Sequence, residues 1–441
     1  LKCCSIASII KMVLYKSLKT FFTKDDFDFE STDIDLYKFH PQIRMFLVFN
    51  GIFFNNTQSY IRFCWPVLST MLALVGAGVE IMIIHHGIVT GDYSFATECF
   101  CYFIILTTIP LVCVSVLFGR TKILQLLSSM DRDFLYINMF MYIYCRKLFL
   151  NGQLLIWQLC ITWLVFAMSI VSMYLISTIA ILFYQSLLAT QTESMVRPLM
   201  FPLWLPEDDP YRTPNYEVFL FFEIVLCLMV LQTFCVYVYI LFHILLHHYY
   251  LMDMIIFDCE ILFKDLDESV VDLPRNDPSR MKVQLILNKR IERIVKWHNM
   301  VFETINAVSS VYGPPLVYQV IISSLAVCLM AYQVADSLDH GKFHVIFAML
   351  CIATCVQLWI PCYLGTLIRN KAFSVGDAIW SSGWHETPLG RIARQNLIII
   401  IMRSQKPVSI KFTGLPNLDL ETFSSVMSTS YSYFNILRQY K

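Results

Sequence analysis

Seven separate stretches of this sequence are apolar over a length that crosses a lipid bilayer, and this pattern constrains the fold more than any other feature. A helix needs about 20 apolar residues to traverse the ~30 Å hydrocarbon layer. Stretches near residues 61–85, 99–119, 151–184, 216–247, 308–333, 343–368 and 418–438 meet that requirement. Lipid offers the backbone no hydrogen bonds, so each must satisfy its own as a helix. The expectation is an all-α membrane protein with seven transmembrane helices. Composition agrees, with 57% hydrophobic and only 15% charged residues in 441. Lys+Arg and Asp+Glu balance at 33 each, so no overall charge points to a nucleic-acid partner. The 15 cysteines scatter singly apart from Cys3-Cys4, which is neither a disulfide framework nor a zinc spacing. No Gly-rich phosphate loop, GxSxG or HExxH occurs, so neither an enzyme nor a bound cofactor or metal is expected.

Basic residues set the orientation, because Lys and Arg in short loops stay on the cytoplasmic side. Eight lie up to and including Arg62, five follow span two, eight follow span four and seven lie between spans six and seven. With the N-terminus inside, 28 of the 33 are cytoplasmic and the C-terminus is extracellular. The sequon Asn55-Asn56-Thr57 then faces the cytoplasm and should be unused. The opening LKCCSIASIIKMVLYKSLKTFF is interrupted by Lys11, Lys16 and Lys19. It reads as an amphipathic helix on the inner membrane surface rather than a signal peptide.

Two helical patterns outrun the membrane. Residues 216–263 are almost continuously apolar, and at 1.5 Å per residue they extend roughly 70 Å. Residues 281–333 begin amphipathically, with Leu285, Ile291, Ile294 and Val301 at helical spacing. Between them KDLDESVVDLPRNDPSR predicts a flexible loop. A third amphipathic segment, 373–405, precedes the last span. Helices protruding on one side bury their apolar faces together, as a cytoplasmic anchor bundle where subunits meet or as packing within one chain. The resulting plan is an N-terminal segment at 1–60, spans one to six over 61–368 with anchor and loop at 248–307, an anchor helix and break at 369–411, and a final helix at 412–441.

That final segment opens with the breakers Pro407, Gly414 and Pro416, followed by Asn417 and Asp419 as candidate caps. At about 100° per residue, Ser425, Thr429, Ser432, Ile436, Gln439 and Tyr440 share one face, and Arg438 lies opposite. Either a water-filled path closed by an apolar ring, or hydroxyls that ease helix packing, accounts for such a stripe. A pore would need several copies around an axis.

The run AIWSSGWHETPLGRIARQNLIIIIMRSQKPVSIKFTGLPNLDLETFSSVMSTSYSYFNIL resembles the C-terminal region of insect odorant receptors, in its RSQKP turn, LDLETFSSVM helix start and SYSYF ending. Ser432-Tyr433, five residues, then Gln439-Tyr440 is also similar to the gustatory receptor signature, with Ser for Thr and Tyr for Phe. The resemblance implies a ligand-gated, non-selective cation channel in the plasma membrane of an olfactory neuron dendrite. It implies seven-helix subunits, a small hydrophobic odorant, a co-receptor subunit completing a heterotetramer, permeating cations and surrounding lipid. It further implies that the last helix lines the pore, with a gate mapping onto Ile436, Gln439 and Tyr440.

The resemblance also places the odorant pocket in the outer half of the bundle, among spans two, three, four and six. The sequence offers Phe100, Phe103 and Thr107, then Ser172, Met173 and Ile176, then Phe222 and Leu226, then Phe343 and Phe347. Each is equally at home in ordinary helix packing. Glu80 and Glu223 are candidate intramembrane functional carboxylates. His243 and His247, at i and i+4, lack a third metal ligand nearby and suit polar packing. Asp419 and Glu421 could cap the last helix or attract cations. A G-protein-coupled receptor would have the opposite orientation and an NPxxY ending, and Asp131-Arg132-Asp133 follows span two rather than span three. A transporter would favour internal repeats, which are not evident.

Overall fold

The structure, a computed structural model, describes residues 19–24, 27–31, 33–49, 51, 63–188, 197–206, 209–406, 408–410 and 417–439. Most of the expected N-terminal amphipathic helix, the sequon, the breakers Pro407, Gly414 and Pro416, and the gate candidate Tyr440 lie outside these residues. Every regular element among the described residues is helical. Two short helices, α1 (Leu36–Phe39) and α2 (Gln42–Phe49), precede α3 (Cys64–Thr90), α4 (Tyr93–Phe118) and α5 (Arg120–Phe140). Then follow α6 (Ile143–Leu188), α7 (Asn215–Glu260), α8 (Pro278–Asp339), α9 (Val345–Ser381), α10 (Gly390–Ser404) and α11 (Leu420–Gln439).

Helices α3, α4, α6, α7, α8 and α9 are long and apolar enough to cross a membrane. The expected seventh, α11, has 20 residues but a hydroxyl-rich face. Local chemistry sets the breaks. Gly91, at φ +77°, closes α3 in the left-handed region, and Asp92 immediately caps α4 by accepting from the Phe95 N–H at 3.0 Å. Asp277 caps α8 through the Ser279 N–H at 2.8 Å, with Pro278 in the first turn where its missing N–H costs nothing.

Several helices are longer than the sequence suggested. Helix α6 has 46 residues, because Ile143–Leu150 continues the span as an amphipathic extension. Helix α8 runs for 62 residues, about 93 Å at 1.5 Å each, with Pro314 and Pro315 inside it. The amphipathic segment expected at 373–405 is divided: the sixth span continues as α9 to Ser381, and α10 starts separately at Gly390. The 264–280 stretch is not the flexible loop expected. It holds a 3-10 turn, Glu268–Asp272, with Val270 buried, and Arg280 donates to the carbonyls of Val271 and Leu273. Acidic and Pro-rich composition suggested mobility, but arginines from α8 supply the missing partners. Arg290 donates to the carbonyls of Ile261, Leu262 and Lys264 at 2.8–2.9 Å, satisfying the frayed end of α7.

Two ends of the bundle differ in packing. At the anchor end, Leu251 and Ile255 of α7, Leu287, Ile294 and Val301 of α8, Val375 and Ile379 of α9, and Leu397 and Ile400 of α10 share one apolar core. Asp258 of α7 accepts two hydrogen bonds from Arg293 of α8 at 2.5 and 2.6 Å, and Lys371 of α9 pairs with Asp253. At the opposite end, where α3 turns into α4 and α8 into α9, a smaller cluster surrounds Tyr102, Tyr174, Met200 and Phe347. This is the turn end. Helix α7 is buried at every position from Cys235 to His248, so it forms the centre of the bundle.

Candidate functional site

Side chains of α4, α6, α7 and α9 enclose a cavity of about 110 Å³ near mid-bundle, walled by Ile105, Trp163, Phe166, Val171, Phe234 and Leu350. A second space of about 50 Å³ between α4, α7, α8 and α9 shares Ile105, Phe234, Thr354 and Gln357 with it. The walls are aromatic and aliphatic with few polar atoms. The Thr354 hydroxyl donates to the Leu350 carbonyl at 2.9 Å, and the Gln357 carbonyl accepts from the Gln319 amide at 2.9 Å. Such walls select by shape and dispersion, with a hydroxyl and an amide to orient a small guest.

The four helices are those expected to form a ligand pocket, but the cavity lies about one to three turns nearer mid-bundle than most of the expected residues. Phe100 and Phe347 pack in the turn-end cluster, and Phe103, Phe222 and Leu226 belong to an adjoining one with Ala73, Ala77 and Leu106. Phe100 and Phe103 stack at 5.8 Å. The Thr107 hydroxyl lies 2.6 Å from the Tyr318 hydroxyl. Ser172 and Met173 are half-buried, whereas Ile176 and Phe343 are 64% and 59% exposed and turn away from the others. Residues 197–206 fill the turn end instead. Met200 donates its N–H to Glu223 at 2.8 Å, the Phe201 ring lies 4.7 Å from Tyr102, and Trp204 stacks on His86 at 3.8 Å. Glu80 is buried nearby, with one carboxylate oxygen lacking a partner among the described residues.

Sequence reasoning missed Trp163, Phe166, Phe234, Thr354 and Gln357. One signal was available: Thr354 and Gln357 are polar and one helical turn apart inside an apolar span. The aromatic residues carried none, since Phe and Trp recur throughout the spans.

The last helix is two-faced. Thr422, Val426 and Ser430 are buried, at a spacing of four, where α11 packs on α8 and α9. Ser425, Ser432, Ile436 and Gln439 are exposed and Thr429 is half-exposed, so the described residues of the expected stripe lie together on the uncovered side. Its hydroxyls back-bond within the helix, Thr429 to the Ser425 carbonyl at 2.9 Å and Ser432 to that of Ser428 at 3.0 Å. Arg438 turns off the stripe to Asp339 at the end of α8, 3.3 Å away. Asp419 starts the helix, accepting from the Thr422 N–H at 3.0 Å and pairing with Arg369 of α9 at 3.1 Å. It acts as cap and anchor, while Glu421 stays exposed.

The histidine pair belongs to a buried relay. His40 and Gln153 meet at 3.2 Å, Gln153 reaches His247 at 3.2 Å, and His247 reaches Asp133 at 3.4 Å, while His243 lies 3.3 Å from the Cys160 thiol. Burial holds the His40 imidazole well below its usual range and raises the Asp133 carboxyl to about 6. Among the described residues no group of three His, Cys, Asp or Glu could hold a metal.

A family model described as 7tm Odorant receptor matches residues 94–431. Odorant receptor 67c of Drosophila melanogaster is 29% identical over 145 residues, 33% of this chain and 35% of that protein. The odorant receptor coreceptor of Anopheles gambiae is 26% identical over 162 residues, 36% of this chain and 33% of that protein. The chain thus matches about a third of the length of these curated relatives. The structure of the insect olfactory receptor OR5 from Machilis hrabei in complex with eugenol superposes with a TM-score of 0.72, covering 92% of this chain and 99% of that one at 16% identity. This likeness extends over nearly the whole fold.

Proposed function

Since this chain belongs to the 7tm odorant receptor family, and is a multi-pass membrane protein with six apolar helices of spanning length, we propose that it is an odorant-binding subunit of a ligand-gated, non-selective cation channel. In this reading the turn end is extracellular, the anchor end is cytoplasmic, and four subunits, some of them co-receptors, surround one pore lined by α11. The observation that carries it is the uncovered face of α11, where Ser425, Thr429, Ser432 and Gln439 form a polar stripe broken by Ile436, on a helix whose other face is packed. Lipid would penalise that face, whereas a hydrated axis would not. Ile436, 49% exposed on that stripe, supplies the apolar constriction, and Gln439 the neighbouring polar ring.

The bound molecule is a small hydrophobic volatile. Its seat is the mid-bundle cavity around Trp163, Phe234 and Thr354, with Phe100, Phe103, Thr107, Ser172, Met173, Phe222, Leu226 and Phe347 surrounding it or lying on its approach. Eugenol in the Machilis hrabei receptor is a ligand of suitable size and chemistry for comparison. In cells expressing this chain with a co-receptor subunit, a panel of volatiles should include one that opens a cation current within milliseconds. A response abolished by G-protein blockade would sink the channel reading. An N-terminal epitope accessible on intact cells would reverse the proposed orientation.

A further inference from the structure

A space larger than the ligand cavity lies elsewhere among the described residues. A groove of about 630 Å³ runs between α3, α4 and α8, ending at the junction of α4 and α5. Along most of its length the walls are apolar, from Leu74, Pro110, Leu111, Val114 and Phe118. It opens sideways: Phe118 is 87% exposed, and Leu74 and Val114 are exposed with it. From Thr107 to Phe118 it follows twelve residues of α4, a rise of about 17 Å at 1.5 Å per residue. That is close to the ~15 Å depth of one leaflet's hydrocarbon.

The far end is chemically different. Lys122 lies there, exposed, donating to the Ser310 hydroxyl at 2.9 Å and paired with no carboxylate among the described residues. Prolines shape the wall behind it. Pro314 and Pro315 of α8 have no N–H for the carbonyls of Ser310 and Val311. The Ser115 hydroxyl takes the Val311 carbonyl at 2.8 Å, fixing α4 against α8. Gly119 completes the junction, since a Cβ there would lie 2.6 Å from Val311. An apolar slot one leaflet deep, open to the bilayer and ending in an unneutralised ammonium with hydroxyls beside it, fits an amphiphile with an anionic head.

We propose that this groove binds an anionic phospholipid, with an acyl chain against Val114 and Leu111 and the headgroup phosphate at Lys122. Anionic lipid is concentrated in the cytoplasmic leaflet, so the choice of phosphatidylserine rests on the orientation proposed above. The charged end and the greater size set this groove apart from the smaller cavity assigned to the volatile.

The test uses the purified full chain in phosphatidylcholine nanodiscs carrying a trace of phosphatidylserine with a diazirine in its acyl chain, with crosslinked peptides identified by mass spectrometry. The expected result is labelling concentrated on residues 107–118 and 310–314. Unlabelled phosphatidylserine should compete it away, and phosphatidylcholine or inorganic phosphate should not. Lys122→Gln should weaken that competition about fivefold, the loss of one membrane-surface charge interaction, while Lys122→Arg retains it. Val114→Trp, filling the slot, should remove the label and leave the elution profile unchanged. Labelling spread evenly over all lipid-facing helices, equal competition by phosphatidylcholine, competition by inorganic phosphate, or an unaltered Lys122→Gln profile would each overturn the proposal. Nanodiscs present both leaflets alike, so a wrong orientation would leave the labelling intact, and a missing odorant current would not alter it.

Discussion

Asp133 shows how one residue's surroundings set its contribution. Its carboxyl is buried beside His247, and burial raises it from the usual 3.8 to about 6. Between about pH 4 and 6 the folded chain therefore holds a proton that the unfolded chain has released, so this group's stability cost builds up as pH rises through that window and is fully present above 6. Asp133→Asn keeps an acceptor for His247 and removes the ionised form. It should stabilise the purified protein at pH 7.5 by on the order of 2–3 kcal/mol, read as a raised melting temperature, and have little effect near pH 4. A gain of the same size at both pH values would refute this account. Legibility is uneven at this scale. The shared face of Ser425, Ser432, Ile436 and Gln439 followed from helical periodicity. The relay through His40, Gln153, His247 and Asp133 did not, because each of its hydrogen-bonded pairs spans more than 90 residues of sequence. In the cavity, Thr354→Val should shift the dose response to a volatile without changing surface expression. An unaltered curve for every active volatile would remove Thr354 from the proposed seat.

At the scale of elements, the apolar runs announced the spans, but helix ends depended on partners that sequence pattern does not name. Helix α7 ends where Arg290 takes the carbonyls of Ile261, Leu262 and Lys264 just beyond it, and the following segment is held by Arg280. The pair Asp258–Arg293 ties α7 to α8 inside the anchor core, with Asp258 almost wholly buried. Arg293→Ala leaves that carboxylate without its partner and should destabilise the anchor by about 3–5 kcal/mol, read as loss of folded, assembled protein in size-exclusion profiles. The joint between α9 and α11 is equally exacting. A Cβ at Gly365 would overlap the Leu418 carbonyl just ahead of α11. Gly365→Ala should displace the start of that helix, and in co-expressing cells it should change resting current or ligand sensitivity more than surface expression. A channel with unchanged currents would show that the start of α11 tolerates displacement.

For the whole molecule, the channel reading proposed above makes the unburied side of α11 a surface that other subunits and a hydrated axis complete. A tetramer mass in native mass spectrometry with the co-receptor, and a raised resting current for Ile436→Ala, are the expected outcomes; a monomer alone, or an unchanged current, would contradict them. One helix connects the two ends of such an assembly. Helix α8 reaches from its start at Pro278, through Leu287 in the anchor core, to Asp339, which holds Arg438 of α11, and the adjacent prolines 314 and 315 interrupt its backbone ladder partway along. Prolines at that point lower the cost of bending the helix there, and in the proposed channel they would act as its fulcrum. On that reading, movement at the turn end would pass through the Asp339–Arg438 pair to the tip of α11 while the anchor core stays packed.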